Sequence, residues 1–206
     1  MEEILKYFKT LNEQQIHQLE QLGALYRDWN SKINVISRKD IDNLYEHHIL
    51  HSLAIAQMAR FRPGTSILDF GTGGGFPGIP LAIMFPEVTF KLIDRTAKKI
   101  HVANEVAKAI GLKNVCAVQK SGEEEKDKFD FIVSRAVMPL PDLVRIVRKN
   151  VSKEQRNALP NGLIVLKGGD LNAEIQPFHK TAEKEAISQW FEEEWFKEKF
   201  LVYLPL

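Results

Sequence analysis

Residues 66–85 read SILDFGTGGGFPGIPLAIMF. An apolar run ends at Phe70, and glycine then takes five of the next eight positions, 71, 73, 74, 75 and 78. Glycine has nothing to pack and loses the most freedom on ordering. Its concentration therefore marks backbone that must turn sharply or pass close to something. The stretch that follows, IPLAIMF, is helix-compatible, which makes the whole a strand–loop–helix unit. In open α/β sheets ligands bind beyond the carboxyl ends of the strands, where this loop would lie.

Working outward, the same pattern repeats. TFKLID (89–94), NVCAV (114–118), FDFIVS (129–134) and GLIVLK (162–167) are short, apolar and rich in β-branched residues, as buried strands are. Helix-compatible stretches at 77–85, 96–110 and 139–150 lie between them. Alternation of this kind predicts a parallel sheet with helices on both faces. The tail AISQWFEEEWFKEKFLVYLPL (186–206) reads as two last strands around a turn. Residues 1–62 read as a helical extension. Thr10 and Glu13 have capping-box spacing, and Ile16, Leu19, Leu22, Tyr26 and Trp29 recur at helical intervals. Asp40 is expected to cap a second helix through Leu44, Ile49 and Leu53. The fold class is thus a doubly wound, seven-stranded Rossmann-like α/β sheet over residues 63–206, with the extension packed on it.

Composition narrows the function. With 28 Lys and Arg against 27 Asp and Glu, formal net charge is +1, so a nucleic-acid surface would have to be local. Clusters at Arg38–Lys39, Arg60–Arg62, Lys98–Lys99 and Arg145–Arg148–Lys149 are the candidates. The single cysteine, Cys116, permits no intrachain disulfide and falls in an expected buried strand as a small core residue, which removes covalent base activation. No leader or membrane-spanning run is read, so a soluble, cytoplasmic, monomeric protein is expected.

The loop's chemistry follows from its spacing. A dinucleotide fingerprint needs glycine where Phe76 stands, and Pro77 and Pro80 withhold N–H donors from a phosphate. Asp69 with Gly71, Gly73 and Gly75 gives D-x-G-x-G-x-G, a spacing similar to that of S-adenosylmethionine-dependent methyltransferases. Asp94 closes the second strand, where a carboxylate can accept from both ribose hydroxyls or cap the next helix. Gly122 and Glu123 follow the third strand, flanking an adenine. Arg135 follows the fourth, offering a planar fork of donors to cofactor or base, or forming a surface ion pair. Lys167 ends the fifth, facing a phosphate, the acceptor base or water.

With GTGGGFPGIPLAI, LIDRTAKK, VQKSGEE, VSRAV and LKGG in this order, the chain resembles the bacterial small-subunit rRNA guanine-N7 methyltransferases, also called glucose-inhibited division protein B. The resemblance extends to NVISRKDIDNLYEHHILHSL and covers most of the chain. It implies methyl transfer from S-adenosylmethionine to N7 of one guanine in 16S rRNA, with the small ribosomal subunit as partner. It also implies cofactor contacts at Gly71, Phe76, Gly122, Glu123 and Arg135. N7 carries a lone pair and no proton, which fits a sequence offering no evident general base. One departure is His47-His48-Ile49-Leu50-His51-Ser52, where the family often has R-H-I-L-D-S. His47 and His51 are one turn apart, yet no third metal ligand is evident. The competing readings are a methyltransferase for a small molecule or protein, an NAD-dependent oxidoreductase, and an RNA-binding module without activity.

Overall fold

A computed structural model describes residues 1–206. The chain opens with α1 (Glu2–Tyr7) and α2 (Glu13–Lys32). The capping box of α2 is Asn12 with Gln15, not Thr10 with Glu13. Gln15 N donates to Asn12 Oδ1 at 2.9 Å, and Asn12 N donates to Gln15 Oε1 at 3.0 Å. Asparagine is the stronger cap, and the Gln15 amide also donates to Ile83 O, so a tertiary bond fixes the frame. Residues 41–43 form a 3-10 turn, Leu44–Leu50 runs as π-helix, and α3 (His51–Met58) completes the extension. Asp40 does not cap this segment through its side chain. Its carboxylate is engaged by His47 and His48 instead, each at 2.6 Å.

The sheet then builds in chain order: β1 (Ser66–Phe70), α4 (Gly78–Met84), β2 (Thr89–Asp94), α5 (Ala97–Ala109), β3 (Val115–Gln119), β4 (Phe131–Arg135), α6 (Leu140–Val147), β5 (Gly162–Gly168), α7 (Asn172–Ile175), β6 (Glu183–Ala186) and β7 (Lys199–Pro205). Spatial order is β3-β2-β1-β4-β5-β7-β6. The first five strands are parallel, and β7 runs antiparallel between β5 and β6. The order reverses between β1 and β4, so their carboxyl ends open the crevice that positions the site.

Alternation across the strands divides the core. Ile67, Phe131 and Val133 point to the face covered by α2 to α5, and Leu68, Ile132 and Leu163 to the face covered by α6 and α7. Leu19, Leu22 and Tyr26 of α2 are wholly buried in the same cluster as Ile79 and Leu92, so extension and sheet share one core. Truncating one of these leucines to alanine would cost about 2–5 kcal/mol. No helix is long and apolar enough to cross a membrane.

Two expectations need correcting. Cys116 is exposed, because β3 is an edge strand: Ala117 turns to α5 and Cys116 does not. The last hairpin begins earlier than read, with β6 ending at Ala186. Residues 187–198 are mostly 3-10 turns that drive Ile187, Phe191 and Phe196 into the core. Burying these side chains outweighs the β-propensity of the segment.

Candidate functional site

The glycine loop leaves β1 and turns back over β2. Gly71 N and Thr72 N both donate to Ile93 O, at 2.9 and 3.0 Å. Gly71, Gly73 and Gly75 have φ of +70°, +58° and +115°, which side-chain-bearing residues rarely adopt. Beneath the loop, Asp69 Oδ2 accepts from Thr72 Oγ1 at 2.6 Å and from Gly78 N at 2.7 Å. Its other oxygen is buried without a partner, and burial pushes the carboxyl up to about 7 against these hydrogen bonds. The extension grips the loop from outside: Tyr26 donates its hydroxyl to Gly74 O at 2.8 Å.

A cavity of about 300 Å³ opens beyond β1 and β2, lined by Phe70, Gly71, Ile93, Asp94, Gly122 and Met138 among others. Asp94 organises its floor. Gly73 N donates to one carboxylate oxygen at 2.9 Å and Thr96 N to the other at 2.8 Å. Both oxygens keep a lone pair for a ligand, so the carboxylate can turn the chain into α5 and accept a ligand at once. Gly122 is required by space, since a Cβ there would stand 1.9 Å from the Phe70 ring. Glu123 is turned outward. Ser121 and Arg95 hold its carboxyl down to about 2, and Arg95 Nη2 lies 2.9 Å from it. Of the residues singled out from sequence, Gly71, Asp94 and Gly122 meet in this cavity, with Gly73 at its edge.

Phe76 and Arg135 do not line it. They meet on the side of the loop that faces the extension, where the guanidinium stacks 5.1 Å from the Phe76 ring. Arg135 Nη2 donates to His48 Nδ1 at 3.1 Å and Nη1 to His47 O at 3.3 Å. Because Nδ1 accepts, His48 carries its proton on Nε2 and donates it to Asp40, giving an Asp40–His48–Arg135 chain. Burial brings Arg135 down to about 10, and burial together with the guanidinium brings His48 down to about 4, so the imidazole is neutral. Arg135 is therefore no surface ion pair. Sequence reasoning missed Asp40 and His48 as its partners, since no spacing joins residues so far apart. Ala136 follows with φ +49°, a strained conformation for a residue with a side chain.

Lys167 stands at a second cavity of about 280 Å³, beyond β4 and β5. Its ammonium donates to Met138 O at 2.8 Å and to Glu174 Oε2 at 2.5 Å. Val137 and Met138 line both cavities. The expected basic groups fare unequally: Arg145 is paired with Asp142 at 3.0 Å, whereas Lys98 and Lys99 line an open cleft with Lys32.

The sequence profile described as rRNA small subunit methyltransferase G matches residues 15–198. A protein of Bacteroides thetaiotaomicron called ribosomal RNA small subunit methyltransferase G is 62% identical over 98% of both chains. Proteins of the same name from Bacteroides fragilis and Flavobacterium johnsoniae are 59% and 55% identical, covering all of this chain and 100% and 98% of their own. Among solved structures, a SAM-dependent methyltransferase from Aquifex aeolicus superposes with a TM-score of 0.55 at 17% identity, covering 82% of this chain and 98% of its own. MtNAS in complex with S-adenosylmethionine gives 0.55 at 12% identity, covering 93% and 76%. These two likenesses concern the fold.

Proposed function

Because the chain belongs to the rRNA small subunit methyltransferase G family, we propose that it methylates N7 of a guanine in 16S rRNA, using S-adenosylmethionine. The observation that carries this reading is the cavity at the sheet's switch point, where Asp94 faces a space bounded by Gly71 and Gly122. Those residues fit the cofactor. Glycine at 71 and 122 lets Val137 and Phe70 close in as walls, Asp94 offers acceptors for ribose hydroxyls, and Phe70, Ile93 and Met138 supply an apolar lining for an adenine. When bound, S-adenosylmethionine supplies an electrophilic methyl: the N7 lone pair forms the new N–C bond, the S–C bond breaks with its electrons left on sulfur, and no proton moves.

The chain's own work is to hold and orient. Asp94 and the glycine loop bind the nucleoside end, Gly122 lets the adenine edge approach, and Glu123 fixes Arg95 at the rim. Phe76 and Arg135 brace the loop from the side that faces the extension. No residue has to serve as general base. Alignment of this kind supplies up to about 7–11 kcal/mol of a reaction barrier. In this reading residues 63–206 are the catalytic unit and residues 1–62 an extension that stiffens the loop and faces the RNA. The protein works as a monomer on the small ribosomal subunit in the cytoplasm. Labelled-methyl transfer to small subunits lacking the modification tests the proposal, with the product mapped to base and atom. Label on guanine N7 is expected; binding of NADH without S-adenosylhomocysteine, or label on another atom, would overturn it.

A further inference from the structure

The second cavity is built for more than a stray lysine. Lys167 is buried, yet two of its hydrogen bonds account for only part of its donors. Glu174 Oε2 is held twice, by Lys167 and by Leu140 N at 2.7 Å, while Oε1 has no protein partner. Burial opposes ionisation of Glu174, but the ammonium and the Leu140 amide outweigh it and keep the carboxylate charged. An ammonium with a spare donor and a carboxylate with a spare oxygen therefore stand side by side in one cavity. Its other walls, Val137, Pro139 and Leu171, are apolar.

Resting on the guanine-N7 reading above, we infer that Lys167 and Glu174 form the acceptor-base pocket and read the Watson–Crick edge of a flipped-out guanine. Guanine presents there an acceptor, O6, next to two donors, N1–H and N2–H. Ammonium beside carboxylate is the complementary pair. Adenine presents an acceptor at N1, which a carboxylate repels. Enzymes that act on a base commonly extrude it into a snug pocket, hydrogen-bond that edge and pack its faces against apolar side chains. The orientation also suits the chemistry. N7 lies on the ring opposite N1 and N2, so a base held by that edge turns its imidazole ring toward the cavity that shares Val137 and Met138. The base gains positive charge as N7 is methylated, and a carboxylate at N1–H stabilises that change.

The rival role for Glu174 is purely structural, as a cap for α6 and a partner for Lys167. Substrate substitution separates the two. Reconstituted small subunits carrying guanosine or inosine at the target are compared, inosine lacking the N2 amino group. Wild-type protein should lose roughly 10- to 100-fold in kcat/KM on inosine. In E174Q activity on guanosine should fall by a similar factor and the preference for guanosine should shrink to about twofold, with S-adenosylhomocysteine affinity unchanged. A merely structural Glu174 would leave the guanosine-to-inosine ratio of E174Q at the wild-type value, which overturns the assignment. Should E174Q not fold, wild type with 2-aminopurine, which lacks O6, provides the second measurement; equal rates on guanosine, inosine and 2-aminopurine overturn it as well. Failure of wild type to methylate guanosine-bearing subunits at all would instead count against the functional reading beneath it.

Discussion

The two halves of the crevice are made differently. Beyond β1 and β2 the site is mostly backbone: three glycines at positive φ, two amides on Ile93 O and one carboxylate that two amides hold. Beyond β4 and β5 it is side chain: Arg135 on His48 and Phe76, Lys167 on Glu174. A backbone-built half depends on local geometry and tolerates little at a few positions. A side-chain-built half depends on charged groups brought from distant parts of the chain, so its failures spread into stability.

The widest break in that contrast should come from Arg135→Ala. It removes a buried cation whose charge offsets Asp69 and strips the stack from Phe76, a loss of about 3–5 kcal/mol in unfolding free energy together with methyl transfer. Chemical denaturation and turnover, measured on one preparation, check both effects. Gly71→Val attacks the other half. A β-branched residue at φ +70° also meets Val137, where a Cβ would lie 2.6 Å from Cγ2. About 2–3 kcal/mol, or roughly 100-fold in S-adenosylhomocysteine Kd by calorimetry, is expected with a smaller change in Tm.

How much of this was legible follows the same division. Gly71, Gly73 and Asp94 are spaced within one continuous strand–loop–helix–strand unit, so local sequence is enough to place them. Cofactor geometry is set by backbone that glycine marks. The Asp40–His48–Arg135 chain and the Lys167–Glu174 pair are assembled by the topology, and nothing local in EHHIL or LNAEI announces them. Arg135 read as a fork free for cofactor or base, or for a surface ion pair, because the residues that engage it lie in the extension. Cys116 read as core because strand composition does not reveal which strand is an edge.

Acidity probes both halves more gently, through His48 in one and Asp69 in the other. His48 is depressed from 6.5 to about 4, so its contribution is complete above pH 6.5 and lost as pH falls toward 4. Asp69 is raised from 3.8 to about 7 and acts oppositely, withdrawing stability as pH rises through that window. The two contributions oppose each other and nearly cancel, so between them Tm should change little on acidification; H48Q should make Tm rise as pH falls and D69N should make it fall by several degrees, and unaltered slopes would count against both assignments. The smallest effect is expected at the rim. Arg95 and Glu123 are well exposed, so Arg95→Ala should change stability by less than about 0.5 kcal/mol and cofactor affinity by less than about threefold.

The π-helical stretch Leu44–Leu50 has a consequence for insertions and deletions. In an ordinary helix each residue advances about 100° around the axis, and a π turn takes up one residue more than an α turn. Removing a single residue there would let the segment relax to ordinary helix with the stretches on either side keeping their places, because the extra residue is held within the wide turn itself. What would be lost is the aim of the side chains inside the turn, so His47 and His48 would no longer both reach the Asp40 carboxylate. The wide turn is thus a local device, letting two adjacent imidazoles share one carboxylate without disturbing the helix that follows.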